Sequence, residues 1–378
     1  MQRRKFLKVL GSSAVIASPL MLGCTSSGGL VDPAKPWTDA GQGNSPIIQA
    51  LSWALLAPNP HNRQPWQVAL HGERSATLYA DPNRKLPITD PFERQITIGL
   101  GAFVELLRLA AANHKELLSI EWFPDGTSTS GLNNRPVAHL SLKPNSTSPN
   151  ALFTAVSKRR TTRGKYNSTP VEQSLINDLV NSIGHCKGLR WGTTTTSNRV
   201  LELNSLAKRA YEREIDTDAA YLESAKLMRI GKQEVAANPD GISLTGVFFD
   251  WLNLFGLISH KDLRDLKGRS RQTARKTAQE LTTARAHIWL LTTGNSRLDQ
   301  VTAGAHYLRL NLVASQMGLA IQPLSQALQE YPEMTQEYAE ARKLLGAEND
   351  EKVQMWARLG YSDITPPSPR WALSTRII

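Results

Sequence analysis

Pro58-Asn59-Pro60-His61-Asn62-Arg63-Gln64-Pro65-Trp66 and, roughly a hundred residues later, Arg159-Arg160-Thr161-Thr162-Arg163 with Lys165 and Tyr166 are the stretches that decide how this chain is read. The first closes an apolar run, 47–56, whose spacing is helical. The second stands at the end of a predicted helix over 151–158, with Thr161 set among Arg159, Arg160 and Arg163. Guanidinium forks and a hydroxyl in that arrangement can converge on one anion. An Arg-Arg pair alone reads better as a solvated basic face. Pro170-Val171 downstream and the C-terminal Pro366-Pro367-Ser368-Pro369-Arg370 favour the anion site.

Outward from the first phrase, short strands are expected over 67–70, 76–80, 119–123 and 137–142. A long amphipathic helix over 99–112 carries Leu100, Phe103, Leu107 and Ala111 on one face. The turn-rich stretch from Pro144 to Pro149 is the best domain boundary. Beyond it the pattern predicts a helix after Pro170, a strand over 189–192 and a charged helical stretch over 200–230. An aromatic segment, 247–252, and a basic helix follow, then a buried strand over 287–292 and a helix over 304–317. Stretches 99–113 and 303–318 echo one another, each a small-residue start leading into a helix rich in Leu and Ala. Duplication and chance likeness between amphipathic helices explain that echo equally well.

The 378 residues can hold one large or two ordinary domains, and 40% hydrophobic with 20% charged residues is a soluble globular composition. The net charge of +11 drops by four, to +7, if Arg3, Arg4, Lys5 and Lys8 leave with a leader. A positive balance suits an anionic cofactor, a membrane surface or nucleic acid. The basic run 260–276 has no interleaved aromatics, so no nucleic-acid partner is expected. Cys24 and Cys186 are the two cysteines, which excludes Cys-x-x-Cys metal motifs, and no metal site is expected. Gly241-Ile242-Ser243-Leu244-Thr245-Gly246 is one residue too long for a nucleophile elbow. Gly99-x-Gly101 lacks the third glycine of a dinucleotide loop, and Gly164-Lys165 is followed by Tyr instead of Ser or Thr.

Gln2-Arg3-Arg4-Lys5-Phe6-Leu7-Lys8 resembles a twin-arginine export motif, followed by an apolar run too short to span a bilayer. Met21-Leu22-Gly23-Cys24 resembles a lipobox, with Met where Leu is usual. Residues 1–24 therefore read as a twin-arginine signal peptide, and 25–45 as a flexible tether. The expected location is the periplasm or the outside of the cytoplasmic membrane, with Cys24 as the lipidation site and a membrane surface as one contact.

The two opening phrases resemble signatures of the nitroreductase family of FMN oxidoreductases. In single-domain members the Arg phrase comes first; here the order is reversed. No Arg-Arg-x-x-Arg precedes Pro58 and no Asn-x-Gln-Pro-Trp follows Arg163, so each half lacks what the other supplies. The resemblance is to the Acg-like subgroup, over about 45–378, and Asn238-Pro239-Asp240-Gly241 looks like another subgroup phrase. It implies an α+β fold of two fused halves mimicking the family homodimer, each a central mixed or antiparallel sheet flanked by helices. The halves would be 46–145 and 151–378, with a lid over 211–284. It implies FMN as cofactor: Arg159 and Thr161 at the ribityl phosphate beside Arg160, Arg163 at the pyrimidine edge, and Arg370 again at the phosphate. Pro58, Asn59, Pro60 and Asn62 would face that cluster, and Leu324, Ser325 and Gln326 would approach the flavin N5. Trp66 reads as core packing.

The function implied is flavin N5 redox chemistry at one composite site, with no side chain named as acid or base. The alternative is an exported flavin-binding or storage protein, or a redox-partner protein, with little NAD(P)H turnover. The electron acceptor, a small molecule, and the donor are not readable; the chain is expected to act as a monomeric pseudo-dimer.

Overall fold

The computed structural model describes residues 32–128, 131–146, 150–246, 250, 252 and 256–378. The leader, Cys24 and most of the aromatic segment 247–252 lie outside them. Helices α1 (Lys35–Thr38) and α2 (Pro46–Ala54) lead into strands β1 (Trp66–Leu70) and β2 (Ser75–Ala80). Then come α3 (Arg94–Asn113), β3 (Glu116–Trp122) and β4 (Ala138–Pro144). Downstream lie α4 (Gln173–Ile183), β5 (Leu189–Thr194), α5 (Ser197–Asp216), α6 (Asp218–Lys226), β6 (Met228–Ile230), α7 (Gly231–Ala237) and β7 (Ile242–Leu244). The chain ends through α8 (His260–Arg264), α9 (Arg269–Thr277), β8 (Ala286–Thr292), α10 (Arg297–Gln316), β9 (Ala320–Pro323), α11 (Thr335–Leu344) and β10 (Lys352–Gly360).

The two four-stranded sheets are antiparallel, in the orders β1-β2-β4-β3 and β5-β8-β10-β9. Within each, the strands taken in chain order run first, second, fourth, third, and a 20-residue helix separates the second from the third. Strand β2 turns Ala76, Leu78 and Ala80 into the core, and Thr77 on its other face is buried as well. All seven residues of β8 are buried, which explains its unbroken apolar run.

The two long helices, α3 and α10, cross almost backbone to backbone. A Cβ on Gly101 would sit 2.1 Å from the Val301 carbonyl oxygen, and one on Gly304 would sit 2.0 Å from that of Ile98. Only glycine permits that approach. Leu308 and Leu312 of α10 thereby join the core around Leu100 and Phe103, while Ile98 of α3 packs with Leu290 of β8. Buried Arg94 of α3 donates to the carbonyls of Leu328 (2.6 Å) and Gln354 (3.0 Å) and pairs with Glu330. At the C-terminus, Val68 N donates to Arg376 O (2.8 Å) and Ile378 N to Val68 O (3.0 Å), so the tail pairs in parallel with edge strand β1.

Two expectations change. The helix over 151–158 is 3-10 in type, and residues 33–45 are packed against the body instead of forming the end of a loose tether. Trp37 Nε1 donates to Ser368 O (2.8 Å), Arg370 N to Pro33 O (2.9 Å) and Gly41 N to Ser52 Oγ (2.8 Å). A large aromatic and backbone donors with buried partners outweigh the Gly- and Ser-rich composition there.

Candidate functional site

The loop 58–66 is held in a conformation that its residues do not favour. His61, Asn62 and Gln64 have φ of 46°, 52° and 50°, left-handed values that cost non-glycine residues energy unless the surroundings fix them. Asn59 Oδ1 accepts from Gln64 N (2.7 Å). Gln64, fully buried, donates through Nε2 to Pro239 O (2.7 Å) and accepts at Oε1 from Trp371 N (2.9 Å). Asn62 donates to Pro369 O (3.0 Å), and its own carbonyl accepts from Gly241 N (3.2 Å). Gly99 of α3 lies beneath: a Cβ there would come within 3.2 Å of Asn59 and of Pro60.

The arginine phrase runs beside β9, where Thr162 N donates to Ile321 O (3.0 Å). Arg358 of β10 donates to the carbonyls of Arg163 (2.8 Å) and Gly164 (2.7 Å), and its guanidinium lies 4.1 Å from the Tyr166 ring centre. Arg159 is buried; Nη2 donates to Leu56 O (3.0 Å) and Nε has no partner. Arg370, also buried, donates to Leu55 O (2.7 Å), Ala57 O (3.2 Å) and Asn62 Oδ1 (2.5 Å). Arg160 donates to Thr365 O (3.1 Å). Thr161, between them in the chain, is half-buried.

The Arg163 side chain differs from these. It is exposed to solvent and has no hydrogen-bonded or ion-paired partner among the described residues, yet it lies within electrostatic reach of His61 and Tyr211. Burial is the main reason the Arg163 pKa is lowered, as it is for Arg159, pushed down to about 10. Arg370 falls well below its ordinary value through burial first and then through Arg159 and Arg160. His61 falls to about 4, through burial and then Arg163 and Arg63. Among the described residues, no carboxylate acts on Arg159, Arg160, Arg163 or Arg370. Buried cations without counter-ions are destabilising, and an anion brought to them would relieve that. Three guanidiniums, those of Arg159, Arg160 and Arg370, and an orphaned Nε therefore fit an anionic cofactor with a phosphate end.

Other arginines nearby have carboxylate partners. Asp240 accepts from Arg84 (2.5 Å), Arg229 (2.7 Å) and Trp371 Nε1 (3.2 Å), and Arg63 lies 3.9 Å away. Asp81 pairs with Arg84 (3.1 Å) and Arg376 (3.4 Å).

Of the residues singled out from sequence, Asn62, Arg159, Arg160 and Arg370 meet, with Pro58, Asn59 and Pro60 carrying the loop. Leu324 is buried and its N donates to Trp356 O (2.7 Å); Ser325 and Gln326 are half-buried. These three follow β9, but no hydrogen bond ties them to Asn62 or to the arginine phrase. Sequence reasoning missed Trp37, His61, Gln64, Tyr211 and Arg358. Arg358 carried a signal, as a charge in the interior of the largely apolar strand β10. A shallow cleft of about 450 Å³ lined by His71, Thr77 and His139 shares no residue with this site.

No protein-family model matches the chain. Over 79 residues it is 33% identical to a putative NAD(P)H nitroreductase, acg, of Mycobacterium tuberculosis (strain ATCC 25618 / H37Rv), covering 21% of this chain and 24% of that protein. An uncharacterized protein of the same strain is 33% identical over 112 residues, covering 25% of this chain and 33% of its own. The matches thus span between about a quarter and a third of these relatives' length. Among solved structures, the FMN-dependent nitroreductase NfnB of Mycobacterium smegmatis in complex with NADPH aligns at 19% identity and a TM-score of 0.36, covering 59% of this chain and 97% of that one. Oxidized iodotyrosine deiodinase bound to FMN and 3-iodo-L-tyrosine aligns at 14% identity and a TM-score of 0.34, covering 58% and 95%. Both TM-scores are low, so the site stands on this chain's own geometry.

Proposed function

We propose that this chain is an FMN-dependent oxidoreductase of nitroreductase type, with one composite site between two fused halves. The reading rests on one observation. Asn62 of the first phrase and Arg370 of the tail meet beside Arg159 and Arg160, in a cluster of guanidiniums that no carboxylate neutralises. The repeated strand order and the crossing of α3 with α10 support the fused halves, 46–145 and 151–378. The partial match to a putative NAD(P)H nitroreductase supports the same reading.

Bound FMN would supply redox chemistry at N5. Arg159, Arg160, Thr161 and Arg370 would hold its phosphate, and Arg163 would stabilise negative charge at the pyrimidine edge. Pro58, Asn59, Pro60 and Asn62 would form the opposite wall, with Leu324, Ser325 and Gln326 towards N5. The stretch 211–284 would act as the lid, since its 238–241 turn already hydrogen-bonds Asn62 and Gln64. Export through Arg3-Arg4 and lipidation at Cys24 belong to the same proposal.

Purified protein should carry or take up FMN, seen as flavin absorbance. Absence of binding after reconstitution sinks the proposal. Bleaching by NAD(P)H supports an NAD(P)H-linked enzyme; bleaching only by a chemical reductant moves the function to storage or to an unidentified electron partner.

A further inference from the structure

Trp37 lies in a segment that composition alone marks as a tether, and three cations gather on its ring. The Arg160, Arg370 and Arg159 guanidinium carbons are 4.7, 5.6 and 5.7 Å from the indole centre. The ring is anchored: its Nε1 donates to Ser368 O (2.8 Å), and the Pro33 carbonyl accepts from Arg370 N (2.9 Å). Three like charges repel one another, and Arg370 bears that repulsion in a buried position. A carboxylate would hold them together by attraction while offsetting part of the charge, as Asp240 does beside Arg63, Arg84 and Arg229. The face of an indole attracts cations through its quadrupole and leaves their net charge intact.

We propose that Trp37 is a positioning residue that keeps Arg159, Arg160 and Arg370 assembled as a preformed site for a phosphate monoester. The inference rests on the FMN reading above for the identity of the ligand, but the anion site stands without it. The arginines keep their net positive charge because their organiser is neutral. Bonds to the backbone carbonyls of Leu55, Leu56 and Ala57 fix Arg370 and Arg159 in place, and Arg159 Nε is left without a partner among the described residues. In this scheme the segment just after the leader completes the cofactor site.

The test compares FMN with riboflavin, which lacks the phosphate, and follows inorganic phosphate separately by thermal shift. Trp37→Leu should weaken FMN at least about tenfold while riboflavin changes less than about twofold. Trp37→Phe, which keeps a π face, should retain FMN affinity within about threefold. Trp37→Met serves if the Leu variant does not fold. An unchanged ratio of FMN to riboflavin affinity, or equal weakening of both, overturns the proposal, because filling space alone would do that. Wild-type protein that binds no flavin, yet is stabilised by phosphate in a Trp37-dependent way, keeps the anion site and removes the FMN reading. Wild-type protein that answers to neither overturns both.

Discussion

Around Asp240 and Asp81, the arginines 63, 84, 229 and 376 are matched by carboxylates; around Trp37, the arginines 159, 160 and 370 are not. Both groups are well buried and both tie together segments distant in the chain. The first joins the loop after α2, the turn at 238–241 and the C-terminal tail, and Asp240 is held charged because Arg84 and Arg229 offset its burial. The second joins the arginine phrase, the end of α2 and the same tail, but through backbone carbonyls. A compensated cluster is a clamp. An uncompensated one keeps its field for something that arrives later.

Asp240→Asn should produce the largest effect. It leaves several buried guanidiniums without their partner, for a loss of about 3–5 kcal/mol of stability, read from denaturant unfolding. FMN affinity of the protein that remains folded should stay within about twofold. If flavin binding collapses as well, the two clusters do not have separate roles.

Arg159→Met should do the reverse. Removing a buried cation that lacks a counter-ion should leave the apo protein as stable or more stable by about 1 kcal/mol. FMN affinity should fall at least about tenfold, or about 1.4 kcal/mol. Unfolding curves and FMN titrations on the same samples test both, and a stability loss like that of Asp240→Asn would erase the contrast.

The smallest effect concerns His61. Its folded pKa of about 4 lies below the ordinary 6.5. The unfolded chain therefore binds the proton first, and stability falls as pH drops from 6.5 to about 4, with none of this loss above 6.5. Arg163→Gln should raise that pKa only part of the way, because burial is the larger cause and Arg163 the second. Histidine ring shifts followed by NMR through a pH titration report it. A pKa unmoved by the substitution would mean that the two side chains do not interact.

Much of the scaffold is legible because its signals are local. Strand-type residues bounded by turns gave β1 to β4, the mostly apolar run gave β8, and helical spacing marked the C-terminal ends of α3 and α10 closely, while both helices begin at least a full turn before the expected start. The echo between those helices becomes interpretable only in the structure, where each divides a sheet of the same strand order. Arg159, Arg160 and Arg163 were singled out by residue type and spacing and Arg370 chiefly through the family resemblance, whereas Arg159, Arg160 and Arg370 are the ones that meet. Trp37 was not singled out, because its meaning depends on partners more than a hundred residues away, and a Gly- and Ser-rich context disguises it. His61 and Gln64 escaped notice because their left-handed backbone is imposed by tertiary contacts and not by their own preferences. Strand β10 received no prediction: Gln354 and Arg358 interrupt its apolar pattern, and both are buried by hydrogen bonds that the sequence does not announce.

The crossing at Gly101 and Gly304 has a consequence for dilution. A pocket made by two separate chains empties when protein concentration falls below the dimer's dissociation constant. Here the loop at Asn62 and the arginines at 159 and 370 belong to one covalent chain whose central helices touch through their backbones. The local concentration of one wall relative to the other is set by the connecting polypeptide. Ligand occupancy should therefore follow the ligand alone, however scarce the protein becomes, and loosening either sheet should loosen both.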